Sequence, residues 1–435
     1  MNTAGKTFGP PRGMRDFYPE DMAVRNAIFD AWKKSSHLFG FSEYDSCVVE
    51  TLALLKRKKG EEIVDQIYDF TDKSGRELVL RPEMTPTLAR MIAARHSSFS
   101  FPLKWFTIAQ CFRYERMSLG RKREHYQWNL DIVGEDSVTA EAEIVAAAVH
   151  ALSTLGLNKD DFYVHFSSRA LLADLLLKLG IAREHHAPVF LAFDKRGKIC
   201  NDDIDKILRE AGLDQKNIRQ AFSLLNISSL EQAAEFLGNN QSSYRDVLQF
   251  LEILDAYGIR DRLKFDISVV RGLAYYTGIV FEAFDANRKF RAIFGGGRYD
   301  NLLKEIGGKT ATGVGLGFGD VVITEILGHM QKAGSHDTKA ETAVGYMHDD
   351  QRATAISIAT ALRNGGNTTD LALCPEKAKN FFSRVGKSGF REAIYVGPDD
   401  VASKTVRIKN LATRSEREVV IKEMTTSSVP VIYPQ

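Results

Sequence analysis

The polar stretch KAGSHDTKAET, residues 332–342, most constrains what this chain can become, because it separates two different hydrophobic patterns. It holds no large apolar residue and reads as a linker. Beyond it, strand and helix patterns alternate: AVGYMH, a helix over 351–364, TDLALC, a helix over 376–387, EAIYVG, then the strands TVRIKNL and REVVIKE. This is a small α/β unit. Before the linker, the periodicity predicts a helix ending near Gly40 and a hairpin turning at Asp72-Lys73-Ser74-Gly75. A helix over 83–95 comes next. Two runs, 104–114 and 125–133, flank an Arg-rich loop and are expected to pair antiparallel. A helix over 138–155 and the strand FYVHF follow, and residues 170–260 are nearly all helical in pattern. Strand signals return at 265–284 and 290–294, ahead of a glycine-dense stretch over 295–319. The predicted fold class is α+β: a body on antiparallel strands, a helical insertion and an appended α/β module.

With 435 residues, the chain exceeds the size at which one core stops growing, so several domains are expected. No run of eighteen apolar residues exists to span a membrane. The opening MNTAGKTFGPPRGMRDF lacks the apolar stretch of a secretory signal, and a cytoplasmic location is expected. Cys47, Cys111, Cys200 and Cys374 are scattered, with no CxxC pair, so buried reduced thiols and no metal site are expected. The net charge of +2 is neutral about nucleic acid, since a basic face can be balanced elsewhere.

Four segments concentrate candidate chemistry. FRYERMSLGRKREHYQWNLDIVG (112–134) places Arg113, Arg116, Arg121, Lys122 and Arg123 within eleven positions, with Glu115 and Glu124 as counter-charges. A planar guanidinium suits bidentate phosphate recognition, although a solvated, salt-bridged hairpin would use the same residues. VVRGLAYYTGIVFE (269–282) sets Arg271 before Tyr275 and Tyr276, at the end of an apolar strand. FGGGRYDNLL with GGKTATGVGLGFGD supplies glycine where a ligand must come close, or plain turns; neither is a Walker loop or a dinucleotide fingerprint. In LRPEMTPTLAR, Glu83 and Thr85 lie at a helix mouth, where capping alone would explain them.

In their order and spacing, RDF, LRPEMT, FRYER…GRKREHYQ…D, RGLAYYTG and GGGRYD resemble the signatures of the histidyl-tRNA synthetases, a class II aminoacyl-tRNA synthetase family, over nearly the whole chain. AIYVGPDD and VRIKNLATRSE are similar to that family's anticodon-binding domain. The resemblance implies a catalytic domain over 1–168 and 263–331, a helical insertion over 169–262, a linker over 332–341 and an anticodon-binding domain over 342–435. It implies histidine activation by ATP with Mg²⁺, transfer to tRNA(His), and a homodimer. Arg113 would hold the α-phosphate and the histidine carboxylate, with Arg271 across the same phosphate. Glu115 and Arg121 would contact ATP, Glu83 and Thr85 the α-amino group. Gln127, Asp131, Tyr275 and Tyr276 would shape the imidazole pocket above the glycines 295–297. In-line attack of a carboxylate on phosphorus asks for positioning and cations rather than a protein nucleophile.

The chain also departs from the family. Cys47 stands where motif 1 usually has proline, Met117-Ser118 where motif 2 has Pro-Gln, and Ala274 where aspartate is frequent. Val322 occupies the slot of the motif 3 arginine that stacks on adenine, leaving His125 as the candidate to cover that ring. Two competing readings are a regulatory paralogue that assists ATP phosphoribosyltransferase and a single-strand RNA-binding protein. The paralogue usually lacks the C-terminal domain and erodes the RGL-YY residues. The second needs aromatic residues interleaved with basic ones. The C-terminal module holds 13 Lys and Arg against 11 Asp and Glu, so its composition says nothing of RNA.

Overall fold

The computed structural model describes residues 8–56, 66–196, 199–238, 241–270, 275–331 and 340–426, in two compact units, Met1–Ser335 and His336–Gln435. The expected linker falls almost wholly outside the described residues. The first unit is built on an eight-stranded sheet. Its order is β1 (Ser42–Glu43), β5 (Leu103–Phe112), β6 (Glu124–Val133), β11 (Gly313–Gly319), β10 (Phe294–Tyr299), β9 (Ile279–Asp285), β7 (Phe162–Ser168) and β8 (Leu263–Phe265). From β5 to β7 every neighbour is antiparallel, and only the edge pairs β1·β5 and β7·β8 are parallel. A side sheet joins β2 (Val49–Thr51), β4 (Glu77–Leu80) and β3 (Tyr68–Thr71), the last two being the predicted hairpin.

Alternation along β6 sends Trp128, Leu130 and Ile132 to one face, where they meet the helices Pro19–Leu38 and Thr139–Thr154. Trp32 stacks on Trp128 with ring centroids 5.9 Å apart, and Phe318 packs edge-on against Trp32. Burying each such side chain contributes roughly 1.5–3 kcal/mol. The Ala-rich Thr139–Thr154 helix is buried over most of its length because alanine lets it approach the sheet closely. Six helices fill residues 169–256 among the described residues, as the periodicity predicts.

Of the two readings open for the glycine-dense stretch, plain turns fail: FGGGRY and GVGLGFG are central strands whose backbones approach closely. Glycine carries no strand signal of its own, and pairing on both sides of each strand holds the ladder. Ser268, Val269 and Val270 also depart from the predicted strand, and residues 271–274 lie outside the described residues. The chain turns after β8, with the Asp266 carboxylate accepting from the Ser268 N–H and the Asp266 carbonyl accepting from the Val269 N–H. Among the described residues the next strand starts at Ile279.

The second unit has a five-stranded sheet, ordered β13 (Thr369–Leu371), β12 (Thr342–Tyr346), β14 (Glu392–Val396), β15 (Thr405–Asn410) and β16 (Glu416–Val420). The first three strands are parallel and the last two antiparallel, which is the α/β alternation the sequence predicts. The run REVVIKE is a strand only to Val420; a short helix, Ile421–Thr426, follows. Among the cysteines only Cys111 is buried; Cys47, Cys200 and Cys374 are free and exposed, in loops or at a helix cap where no core forms.

Candidate active site

The register of β6 against β11 sets Gln127 opposite Gly319, Asn129 opposite Gly317 and Asp131 opposite Gly315. These three polar residues share the face turned away from Trp128. Glycine across the ladder lets their side chains lie flat on it. A methyl group at Gly317 would stand 2.7 Å from Gln127 Nε2, and one at Gly315 would overlap Asp131 Oδ1. Tyr299, on the same face of β10, donates from its hydroxyl to Asp131 Oδ1 at 2.7 Å. Asp131 Oδ2 has no partner among the described residues. Burial pushes the Asp131 carboxyl up to about 7, with the Tyr299 hydrogen bond pulling the other way. The Tyr275 hydroxyl donates to Glu83 Oε2 at 3.4 Å, and the Tyr275 ring lies 5.0 Å from that of Tyr276 and 6.1 Å from that of Tyr299. A buried polar cluster with one unfilled carboxylate oxygen results, matched to a small ligand with its own N–H donors.

Further along the same face, a cavity of about 270 Å³ is lined by Arg113, Glu115, Arg121, His125, Gln127 and Arg291, with the backbone of Gly295, Gly317 and Gly319. Arg113 follows β5 directly, and its Nε donates to the Pro82 carbonyl at 2.9 Å. The motif 2 loop closes through a tight turn between Ser118 and Arg121, in which Gly120 takes a φ of 73°. Arg121 Nε lies 2.5 Å from Glu115 Oε2, so these two residues pair with each other. His125 is pushed down to about 3 by burial and by the charges of Arg113 and Arg15, and presents a neutral ring. The cavity thus combines guanidiniums with an uncharged imidazole ring, a lining suited to a phosphate-bearing ligand with an aromatic base.

A brace outside the cavity holds this arrangement. Arg15 Nε donates to Glu124 Oε1 at 2.6 Å, and its Nη2 lies 3.0 Å from Asp320 Oδ2. Asp320 also accepts from the Tyr126 N–H at 2.9 Å. Burial raises the Asp320 carboxyl to about 6, with Arg15 opposing the shift. The RDF segment is thereby tied both to β6 and to the helix that begins at Asp320.

Glu83, Asp131, Tyr275 and Tyr276 thus come together in one cluster, and Arg113, Glu115, Arg121 and Gln127 line the cavity, with Gln127 on the same strand face as Asp131. Thr85 opens the Thr85–Arg95 helix, but Met84 holds its cap position with no side-chain cap bond, so capping does not explain that segment. Arg271 lies outside the described residues. Sequence reasoning missed Tyr299, Arg15, Asp320 and Arg291. Tyr299 was recoverable: counted in twos from Gly295 and Gly297, it falls on the site face once GGGRYD is read as a strand. Among the described residues no group of three or more His, Cys, Asp or Glu is placed to hold a metal, and no helix is long and apolar enough to cross a membrane.

Comparison with known proteins gives this geometry its context. A family model described as histidyl-tRNA synthetase matches residues 13–319, and one described as anticodon binding domain matches 341–427. The chain is 42% identical to the chloroplastic/mitochondrial histidine–tRNA ligase of Arabidopsis thaliana over 95% of its own length and 85% of that protein's. It is 38% identical to the histidine–tRNA ligase of Opitutus terrae over 95% and 96% of the two chains. The crystal structure of histidyl-tRNA synthetase from Nostoc sp. PCC 7120 shares the fold, with a TM-score of 0.78 at 21% identity over 96% of this chain and 99% of that one. With a family model spanning residues 13–319 and relatives at 38–42% identity over 95% of its length, the chain belongs to the histidyl-tRNA synthetase family.

Proposed function

We propose that this protein is a histidine–tRNA ligase, which forms histidyl-adenylate from L-histidine and ATP and passes the histidyl group to the 3′ end of tRNA(His). The observation that carries this reading is a buried acid, Asp131, with one oxygen held by Tyr299 and one unfilled, next to a cavity lined by guanidiniums. An imidazole N–H would fill the vacant oxygen. A site built around such a bond rejects apolar analogues by ~10⁴-fold or more, since they strand a buried polar group.

In this reading Glu83, set by the Tyr275 hydroxyl, takes the α-ammonium with Thr85, and Gln127, Tyr276 and Asp131 orient the imidazole. Arg113 and Arg271 flank the α-phosphate, the role of Arg271 resting on the resemblance alone. The histidine carboxylate attacks the α-phosphorus, the bond to the bridging oxygen breaks, and pyrophosphate leaves. The terminal adenosine 3′-hydroxyl then attacks the acyl carbon and AMP departs. Cations placed where charge builds up lower both barriers. Mg²⁺ enters with ATP as part of the substrate, held by phosphate oxygens. This suits a cavity whose one carboxylate, Glu115, is engaged by Arg121. A cytoplasmic homodimer and the division at 168/169, 262/263, 331/332 and 341/342 complete the proposal.

The test is histidine-dependent exchange of pyrophosphate into ATP together with charging of tRNA(His). A regulatory paralogue would show neither. Removing 340–435 should spare exchange and reduce charging; equal loss of both would overturn the assignment of that unit to tRNA.

A further inference from the structure

Arg291 lies in the connection between β9 and β10, outside every segment that carries the family resemblance. Its backbone is fixed on both sides. The buried Asp285 carboxylate accepts from the N–H groups of Lys289 at 3.0 Å and Phe290 at 2.9 Å. The Phe290 ring packs edge-on against His329, with centroids 5.9 Å apart. The Ile293 N–H then donates to the Ala283 carbonyl at 2.7 Å and returns the chain to the sheet. From this bracket the Arg291 side chain crosses to the motif 2 loop. A methyl group on Gly120 would meet Arg291 Cδ at 3.4 Å and Val322 Cγ2 at 3.2 Å. Arg291 therefore shares a cavity wall with Val322, which brings no charge to it.

No hydrogen bond or ion pair within contact distance engages Arg291 among the described residues. The carboxylate nearest to hand, Glu115, is bound to Arg121. Burial and the like charge of Arg121 both work against the Arg291 cation, and Glu115 offsets them only in part. The guanidiniums of Arg113, Arg121 and Arg291 and the ammonium of Lys122 face one cavity with a single carboxylate, Glu115, which leaves it short of negative charge. A polyphosphate supplies that charge and accepts bidentate hydrogen bonds from guanidiniums.

We propose that Arg291 is a binding residue for the phosphate tail of ATP, acting with Arg121 on the oxygens beyond the α-phosphate. This rests on the reading of the cavity as the nucleotide site. The rigid bracket matters because a cation fixed in advance loses little freedom when the anion arrives.

The experiment compares full-length wild type with Arg291→Gln and Arg291→Lys by calorimetric titration with ATP, AMP and L-histidine. For the Gln variant the expected result is weakening of ATP by roughly 10- to 100-fold, the usual size for lost hydrogen bonds to a charged group, with AMP and histidine shifted less than about threefold. Unchanged histidine affinity also reports an intact fold. The Lys variant should fall between, keeping the charge without the planar fork. Equal weakening of ATP and AMP would place Arg291 at the nucleoside end and overturn the proposal, as would ATP affinity equal to wild type. If wild type itself bound neither nucleotide, the reading of the cavity would fall first, and the role of Arg291 with it.

Discussion

Arg298 and Arg291 belong to the same short stretch of chain, one inside β10 and one just before it, yet they live in opposite chemical conditions. Arg298 is saturated. Its Nε and Nη2 donate to the two oxygens of Glu141 at 2.7 and 2.6 Å, and its remaining donors reach the Glu135 and Ser137 carbonyls and the Thr312 hydroxyl. Arg291 faces a cavity with no such partners. The arginine inside the recognisable GGGRYD signature is thus a structural member, and the one outside any signature lines the site. Two acids repeat the contrast. Glu141 has both oxygens occupied, whereas Asp131 has one. Vacancy, rather than charge or membership of a motif, separates the groups that build this protein from those proposed to bind a ligand.

The largest expected effect tests the saturated side. Arg298→Met should cost about 3–5 kcal/mol, because Glu141 would stay buried without a partner. Urea unfolding measures it, and adding Glu141→Leu should restore most of the loss. A single-variant loss under about 1 kcal/mol would break the contrast. Next comes Arg271→Ala, which should lower kcat by about 10²–10³-fold at saturating substrates, as for loss of one charge-stabilising donor. A change smaller than threefold would remove that residue from the chemistry.

Asp131→Asn sharpens the comparison of the two acids. It should lower kcat/KM for histidine by roughly 10- to 100-fold and remove a pH dependence. In wild type the free carboxyl titrates near 7, so kcat/KM should fall as pH drops below that value and the acceptor becomes protonated. The stability sign is opposite. A carboxyl raised in the folded state favours folding below its unfolded pKa of about 4 and loses that contribution as pH rises through the folded one. Histidine should therefore protect the fold most above pH 7, and a protection that did not vary with pH would remove Asp131 from imidazole recognition. The smallest effect belongs to Arg291→Lys, a rise in KM for ATP of about threefold to tenfold where a point charge replaces a bidentate fork. An unchanged KM would mean that charge alone is read there.

Much of this was legible beforehand, for physical reasons that also explain the rest. The helices and the long β5–β6 hairpin announce themselves through apolar periodicity, and the hairpin carries Arg113, Glu115, Arg121, Gln127 and Asp131 into place together. The glycine strands did not, since a residue without a side chain has no periodicity to display; without a strand assignment the facing of Tyr299 stayed hidden. Tyr275 and Tyr276 follow a turn set by Asp266, a local hydrogen bond that hydrophobic pattern does not encode. Arg291 and Arg15 meet the site across the sheet from remote positions, so the absence of an arginine at Val322 was readable and the cation beside it was not.

The bare main chain of β11 beneath Gln127 and Asp131 has a practical consequence for anyone wishing to load unnatural histidine analogues. A floor made of peptide groups offers no side chain to trim, and any substituent added at Gly315 collides at once with Asp131. For the histidine pocket proposed above, redesign would therefore proceed from the walls, at Gln127, Tyr276 or Tyr299, and enlarge the chamber sideways, never downward.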